Sequence, residues 1–194
     1  LGKTSGKANI KKNLEDLGIE LDSESLKKVT RKIIELADLK ETVTSDDLPY
    51  IVADVLENES LEQKIKIVNF SLNHTMGLKP VANVSIEISG KFYEEYCDGD
   101  GQYDAFVQAL HKIYKKLGKS FPKLIDYVVT IPPGGKTNAL VETVITWKSN
   151  REFRTKGLDP DQTSAAVKAT IRMLNIIENE ASLEIAEKVL NSTT

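Results

Sequence analysis

Apolar positions recur at helical spacing through the first third of the chain and at every second position through much of the rest. Ile10, Leu14 and Leu17 form a first stripe, with Ser5 placed to cap its start and Gly18 to end it. Leu26, Val29, Ile33 and Leu36 form a second stripe behind Asp22. Thr44 and Asp47 resemble a capping box ahead of Leu48, Ile51, Val52 and Val55, and Pro49 suits the first turn of that helix. Short helices with polar outer faces bury little alone, so residues 1–60 read as a helical linker that packs on something else. The acidic stretch LENESLEQ, residues 56–63, marks the boundary with a second domain over 61–194.

Beyond that boundary the period changes to two. Residues 64–72 read as a strand with a bulge where the alternation slips. Val84, Ile86 and Ile88 alternate with Ser85 and Glu87 as a half-buried strand, and Ser89-Gly90 turns the chain into KFYEEY. A helix follows with Phe106, Ala109, Leu110, Ile113 and Leu117 on one face, ended by Gly118. The same order then returns. A strand over 124–131 leads into the loop PPGGKTN, with a tight turn at Gly134-Gly135. The next strand places Ala139, Val141, Thr143, Ile145 and Trp147 on one side, and Ser149-Asn150 turns the chain into REFRTK. A helix bearing Val167, Ile171 and Leu174 comes after GLDPDQ, and a further short helix holds Leu183, Ala186 and Leu190. A shift of about sixty residues lays Gln102 on Gln162, Ala105 on Ala165, Val107 on Val167 and Ala109 on Ala169, an internal repeat. The predicted class is α+β: a helical linker, then two pseudo-repeated βββα units with antiparallel sheets and helices on one face.

Composition narrows the function. A 194-residue chain with 40% hydrophobic residues builds a packed core. A net charge of −3 argues against nucleic acid, whose binders carry a basic stripe. Cys97 is the single cysteine, so no disulfide framework forms within the chain, and a reducing, cytoplasmic setting fits. No apolar run approaches the ~18 residues of a membrane span, and no signal-peptide pattern is present. The chain begins at Leu1 and not Met, which reads as a fragment of something longer.

Tempting motifs fail on spacing. From Asp98, an EF-hand loop needs a carboxylate or amide ladder, a glycine sixth and a glutamate twelfth, where Tyr103 and Ala109 stand. A phosphate loop ending in Gly135-Lys136-Thr137 lacks its first glycine, where Thr130 stands, and Gly2-Lys3-Thr4 lacks the upstream part. His74 and His111 are the only histidines, and neither joins a metal set or a nucleophile; His111 reads as a partly exposed helix residue. Cys97 reads as a buried or half-buried thiol.

The stretch CDGDGQYDAF places two Gly-Asp steps before a helix. One reading is a helix start, Asp98 or Asp100 capping free amides while the glycines take positive φ. The other is an anion site at the amides of residues 101–103, because a helix start is partly positive. The repeat partner Asp159-Pro160-Asp161-Gln162 is also a helix start, with Asp159 as cap and Pro160 at the first position. Two such starts close together, with Asp104 for an ammonium and Leu124, Tyr127 and Ile131 as an apolar wall, suit an amino acid. The same apolar residues also suit plain core or a dimer interface.

These residues resemble the 2-isopropylmalate synthase and citramalate synthase family over nearly the whole chain. SGKANIKKNLEDLGIELDSESLKKVTRKIIELADLKETVT is similar to the family's linker, in which LGKxSG leads into helices and an ELADxKxxVTxxDL run. CDGDGQYDAF matches the GxGPVDA segment that opens the C-terminal regulatory domain. TIPPGGKTNALVETVITW matches a strand-GGTDA-strand segment, and LDPDQTSAAVKATIRMLN matches the segment after GRG that ends in an NALN-like helix. The resemblance implies a piece of a Claisen-type acyltransferase that condenses acetyl-CoA with a 2-keto acid. The catalytic barrel and its divalent metal would lie outside this chain, so the chain alone is expected to be inactive and to hold no cofactor. It further implies a homodimer that binds a branched-chain amino acid near the dimer interface as feedback inhibitor.

Departures point within the family. Thr4 stands where many isopropylmalate synthases have the histidine of LGKHSG, implicated in chemistry at the partner's barrel, and this departure puts a catalytic assist from the linker in question. Gln102-Tyr103 replaces Pro-Val, and KGLDPDQTS replaces GRGxSTD. These changes resemble the citramalate synthase branch, with pyruvate as substrate and isoleucine as effector; a leucine-sensing isopropylmalate synthase domain and a dimerisation module without ligand are the alternatives. The resemblance then places isoleucine's carboxylate at the helix starts with Gln162 and its ammonium at Asp104. Its side chain would lie on Leu124, Tyr127, Ile131 and Val141, with Tyr103, Thr137 and Pro160 closing the site.

Overall fold

The computed structural model describes residues 7–39, 43–59, 62–131 and 139–192. Ser5, Thr137 and the turn at Gly134-Gly135 lie outside them. Three helices come first, α1 (Lys7–Asp16), α2 (Ser23–Leu39) and α3 (Leu48–Glu59). Asp22 caps α2 as its position suggests: its carboxylate accepts from the amides of Glu24 and Ser25 at 2.8 and 3.0 Å. Those bonds, with the Ser25 hydroxyl, hold its carboxyl below the usual aspartate range. Gly18 ends the first helical segment at φ +71°. The Thr44–Asp47 box is only half formed. Asp47 accepts from the Thr44 amide at 2.8 Å, but the Thr44 hydroxyl is buried without a partner.

Two βββα units follow. The first is β1 (Ile65–Asn73), β2 (Val81–Ile88), β3 (Lys91–Asp98) and α4 (Gln102–Lys116). The second is β4 (Lys123–Thr130), β5 (Val141–Lys148), β6 (Glu152–Asp159) and α5 (Gln162–Ser192). Each sheet is antiparallel, in the orders β1-β2-β3 and β4-β5-β6. The repeat extends to irregularities. The first strand of each unit slips register, between Ile67 and Asn69 and between Leu124 and Asp126. The inward faces are the predicted ones, Val84, Ile86 and Ile88 on β2 and Val141, Thr143, Ile145 and Trp147 on β5.

One core joins the two units. Phe106, Ala109, Leu110 and Ile113 of α4 pack with Ile145 and Trp147 of the second sheet and with Ala169 and Met173 of α5. Asn175 on α5 locks the joint. Its side chain accepts from the Ile65 amide at 2.9 Å and donates to the Ile65 carbonyl at 3.0 Å, satisfying the free edge of β1. The linker helices form a second core that continues into the second sheet through Leu140 and Leu158.

Two expectations are corrected. The C-terminal region is one 31-residue helix, with no separate helix around Leu183. No glycine or proline interrupts residues 162–192, so nothing breaks the backbone ladder there. The glycines of the Gly-Asp turn do not take positive φ; Gly101 is extended at φ −144°. Gly99 is needed for space instead, since a Cβ there would lie 2.3 Å from the Ala105 amide nitrogen.

Candidate functional site

The two helix starts are built differently from each other and from expectation. Gly101 is the N-cap of α4 and makes no side-chain cap bond, so neither Asp98 nor Asp100 caps it. Asp104, in the first turn, reaches back instead: its carboxylate accepts from the Asp100 amide at 2.9 Å and from the Gln108 side chain at 3.3 Å. At α5 the cap is Asp161, which accepts from the Ser164 amide at 2.7 Å. Asp159 is therefore not the cap, and Pro160 precedes the helix. Asp159 closes a turn by accepting from the Asp161 amide at 2.9 Å and pairs with Lys168 at 2.5 Å. Its neighbour Gln162 opens α5 in solvent.

Nor do the two starts converge within one chain. Tyr103, in the first turn of α4, meets Thr170, two turns into α5 and about 12 Å beyond its first residue at 1.5 Å per residue. The hydroxyls of Tyr103 and Thr170 lie 2.7 Å apart. Thr170 spends its single proton on the Ala166 carbonyl at 2.8 Å, so the Tyr103 hydroxyl is the donor of this pair. Burial raises the Tyr103 phenol well above the usual tyrosine range. Its ring lies 5.4 Å from that of Tyr127 on β4 and 6.4 Å from Phe106. Thr170 carried no signal in the sequence, because the repeat lays it on Leu110.

Strand β4 carries the apolar wall and leaves it largely uncovered. Its register sets Leu124 beside Trp147 and Tyr127 beside Ile145. Ile131 follows Thr130, which pairs with Glu142, and buried Val141 next to Glu142 pairs with Asp159. Ile131, Val141 and Pro160 therefore cluster at one end of the second sheet, while Tyr103 and Tyr127 meet near its middle. Leu124 lies at the other end, about 20 Å along the strand from Ile131 at 3.3 Å per residue. Of the predicted wall, Leu124 and Ile131 are exposed at 36 and 60%, and Tyr127 is half-buried. The predicted residues thus make a long apolar edge and not one closed pocket within a single chain.

No catalytic constellation appears among the described residues. No three His, Cys, Asp or Glu side chains cluster as a metal site requires. His111 stacks 4.2 Å from Phe121, and burial lowers its pKa despite the opposing pull of Asp104. Cys97 is buried. No described helix is long and apolar enough to cross a membrane.

Comparison with known proteins bears on what this architecture serves. The profile of the LeuA allosteric (dimerisation) domain matches residues 42–178. The 2-isopropylmalate synthase of Aquifex aeolicus is 31% identical over 176 residues, covering 90% of this chain and 33% of that protein. The (R)-citramalate synthase of Methanocaldococcus jannaschii is 30% identical over 182 residues, covering 92% and 36%. A 2-isopropylmalate synthase of Oceanobacillus iheyensis is 32% identical over 187 residues, covering 94% and 35%. The chain spans about a third of the length of these relatives.

Proposed function

The chain belongs to the family of LeuA allosteric (dimerisation) domains, and from that premise we propose that it is the isoleucine-sensing regulatory part of a citramalate synthase. The whole enzyme would condense acetyl-CoA with pyruvate in a metal-dependent barrel outside this chain, in the cytoplasm. The chain alone would be inactive.

The observation that carries the reading is the apolar edge of β4, uncovered beside the half-buried Tyr103–Tyr127 pair. A wall of that length exceeds one amino acid, so a second copy of the chain completes the site and covers the remainder. Isoleucine's side chain lies on Leu124, Tyr127, Ile131 and Val141, contributed across the homodimer. Its ammonium meets Asp104, whose two described hydrogen bonds leave acceptor positions of the carboxylate open. Its carboxylate lies at the start of α5 with Gln162, and Tyr103, Thr137 and Pro160 close the site. Gln102-Tyr103 at the start of α4 and Pro160 before α5 favour isoleucine over leucine in this reading.

Feedback requires that the effector prefer one of two arrangements. Linker helices that share a core with the sensing domain through Leu140 and Leu158 offer the route to the barrel. A coupling of about 1–3 kcal/mol suffices.

Thermal unfolding with added isoleucine, leucine and valine tests the proposal. Isoleucine raises Tm in a saturable way and leucine less so. Leu124→Ala alters the ranking. No shift with any of the three leaves a dimerisation module without ligand, and a larger shift with leucine moves the chain to the leucine-sensing branch.

A further inference from the structure

Thr170 on α5 is polar at a position that packing alone does not require to be polar. It is wholly buried, and the repeat sets Leu110, also wholly buried, at the equivalent place on α4. An apolar side chain thus fills this position in the first unit. The Thr170 hydroxyl makes two bonds. It donates to the Ala166 carbonyl at 2.8 Å within its own helix and accepts from the Tyr103 phenol at 2.7 Å across the joint of the two units. The first bond spends the proton of the hydroxyl, so only its lone pairs face Tyr103.

This anchor holds a half-buried ring. Tyr103 lies in the first turn of α4, its ring 5.4 Å from Tyr127 at 47° and 6.4 Å from Phe106 at 21°. Aromatic pairs accept a range of tilts at centroid separations of about 4.5–7 Å, so these ring contacts alone do not set one orientation. A hydrogen bond does, because it fixes both the distance and the direction of the phenol oxygen. It also commits the phenol proton. Toward a ligand, Tyr103 then offers its ring and an acceptor oxygen, and no donor.

We infer that Thr170 is a positioning residue for the effector site: its hydroxyl fixes the Tyr103 ring against Tyr127, and the fixed ring, not the phenol proton, sets how tightly the effector's branched side chain is held. Thr170 is buried and acts only through Tyr103. The inference rests on the reading that Tyr103 and Tyr127 border the isoleucine site. It adds that the phenol donates nothing to the ligand's carboxylate, which leaves that group to the start of α5.

The test combines aromatic NMR of the ligand-free chain with calorimetric titration of isoleucine. The variants are Thr170→Val, Thr170→Ser, Tyr103→Phe and the double variant of Thr170→Val with Tyr103→Phe. Valine keeps the shape of threonine and removes the acceptor; serine keeps the acceptor. Without ligand, Thr170→Val should change the ring-current shifts of Tyr103 and Tyr127, and Thr170→Ser should preserve them. Isoleucine binding should weaken about three- to tenfold in Thr170→Val, as loss of one hydrogen bond does, and stay near wild type in Thr170→Ser. Tyr103→Phe should weaken it by a similar factor, and the double variant by no more than either alone, since each change removes the same bond. Tyr114→Phe, which removes the buried phenol beside Glu178 at the other end of α4, should leave the affinity unchanged. Unmoved Tyr103 and Tyr127 signals in Thr170→Val overturn the inference. So does an unaltered isoleucine affinity in that variant, and so do additive losses in the double variant, which would put the phenol proton on the ligand. A wild-type chain that binds no isoleucine overturns the effector reading instead, and the ring signals then decide the positioning role by themselves.

Discussion

Replacing Asn175 by alanine tests how the two units are joined. The Asn175 side chain exchanges two hydrogen bonds with the backbone of Ile65, at 2.9 and 3.0 Å, and both residues are buried. Alanine leaves the Ile65 N–H and C=O without partners at the edge of β1. Each of the two orphaned groups costs about 1–3 kcal/mol, so the loss is about 2–6 kcal/mol, against typical domain stabilities of about 5–15 kcal/mol. Urea unfolding measures it as a lower midpoint at unchanged slope. Asn175→Asp sharpens the argument. Its carboxylate still accepts from the Ile65 amide, but its second oxygen faces the Ile65 carbonyl, which favours the protonated acid and raises the folded-state pKa. The stability of that form is present below the unfolded aspartate value of about 3.9 and is lost as pH rises through the raised folded value. The deficit of the aspartate variant therefore shrinks as pH falls. A loss below about 0.5 kcal/mol for alanine, or a deficit that grows in acid, refutes the reasoning.

Other perturbations follow from the same contacts. Gly157→Ala places a Cβ 1.9 Å from the Ala165 carbonyl oxygen and 2.7 Å from the Ala169 nitrogen; both are backbone atoms of α5, so urea unfolding should show a loss of about 3 kcal/mol or more. Arg172→Met removes the nearer of the two described cations from Asp54 and leaves Lys32 at 3.8 Å, so it should cost about 1.5–3 kcal/mol, with partial recovery when Asp54→Leu is added. Tyr103→Phe removes the donor to Thr170 and should cost about 1 kcal/mol by the same assay. Burial raises the phenols of Tyr103 and Tyr114, so their contribution is present below the unfolded value of about 10 and lost as pH rises above it. Tyrosinate difference absorbance should show these two ionising only as the chain unfolds in alkali.

Much of the fold was legible because the sheets bury one face. Alternation on β2 and β5 identified the inward residues, and a slipped alternation marked the bulge in β1. The repeat was legible in Ala105 and Ala165, both wholly buried where helix meets sheet. The helix starts were not, since several aspartates compete for one cap and only backbone direction decides that Asp161 wins over Asp159. The continuous α5 was missed because its polar stretch at Glu178-Asn179-Glu180 interrupts the apolar stripe without interrupting the backbone. Asn175 and Arg172 gave no periodic signal, as their partners, Ile65 and Asp54, lie more than a hundred residues away in sequence. The spread of the site along β4 is likewise a matter of register and helix offset, which composition does not carry.

Calorimetric titration of the chain with isoleucine, leucine and valine tests the central claim most directly. The account predicts saturable binding of isoleucine, tighter than leucine, and weakening of that binding in Tyr127→Ala. Leucine binding more tightly than isoleucine, or no heat of binding with any of the three, contradicts it.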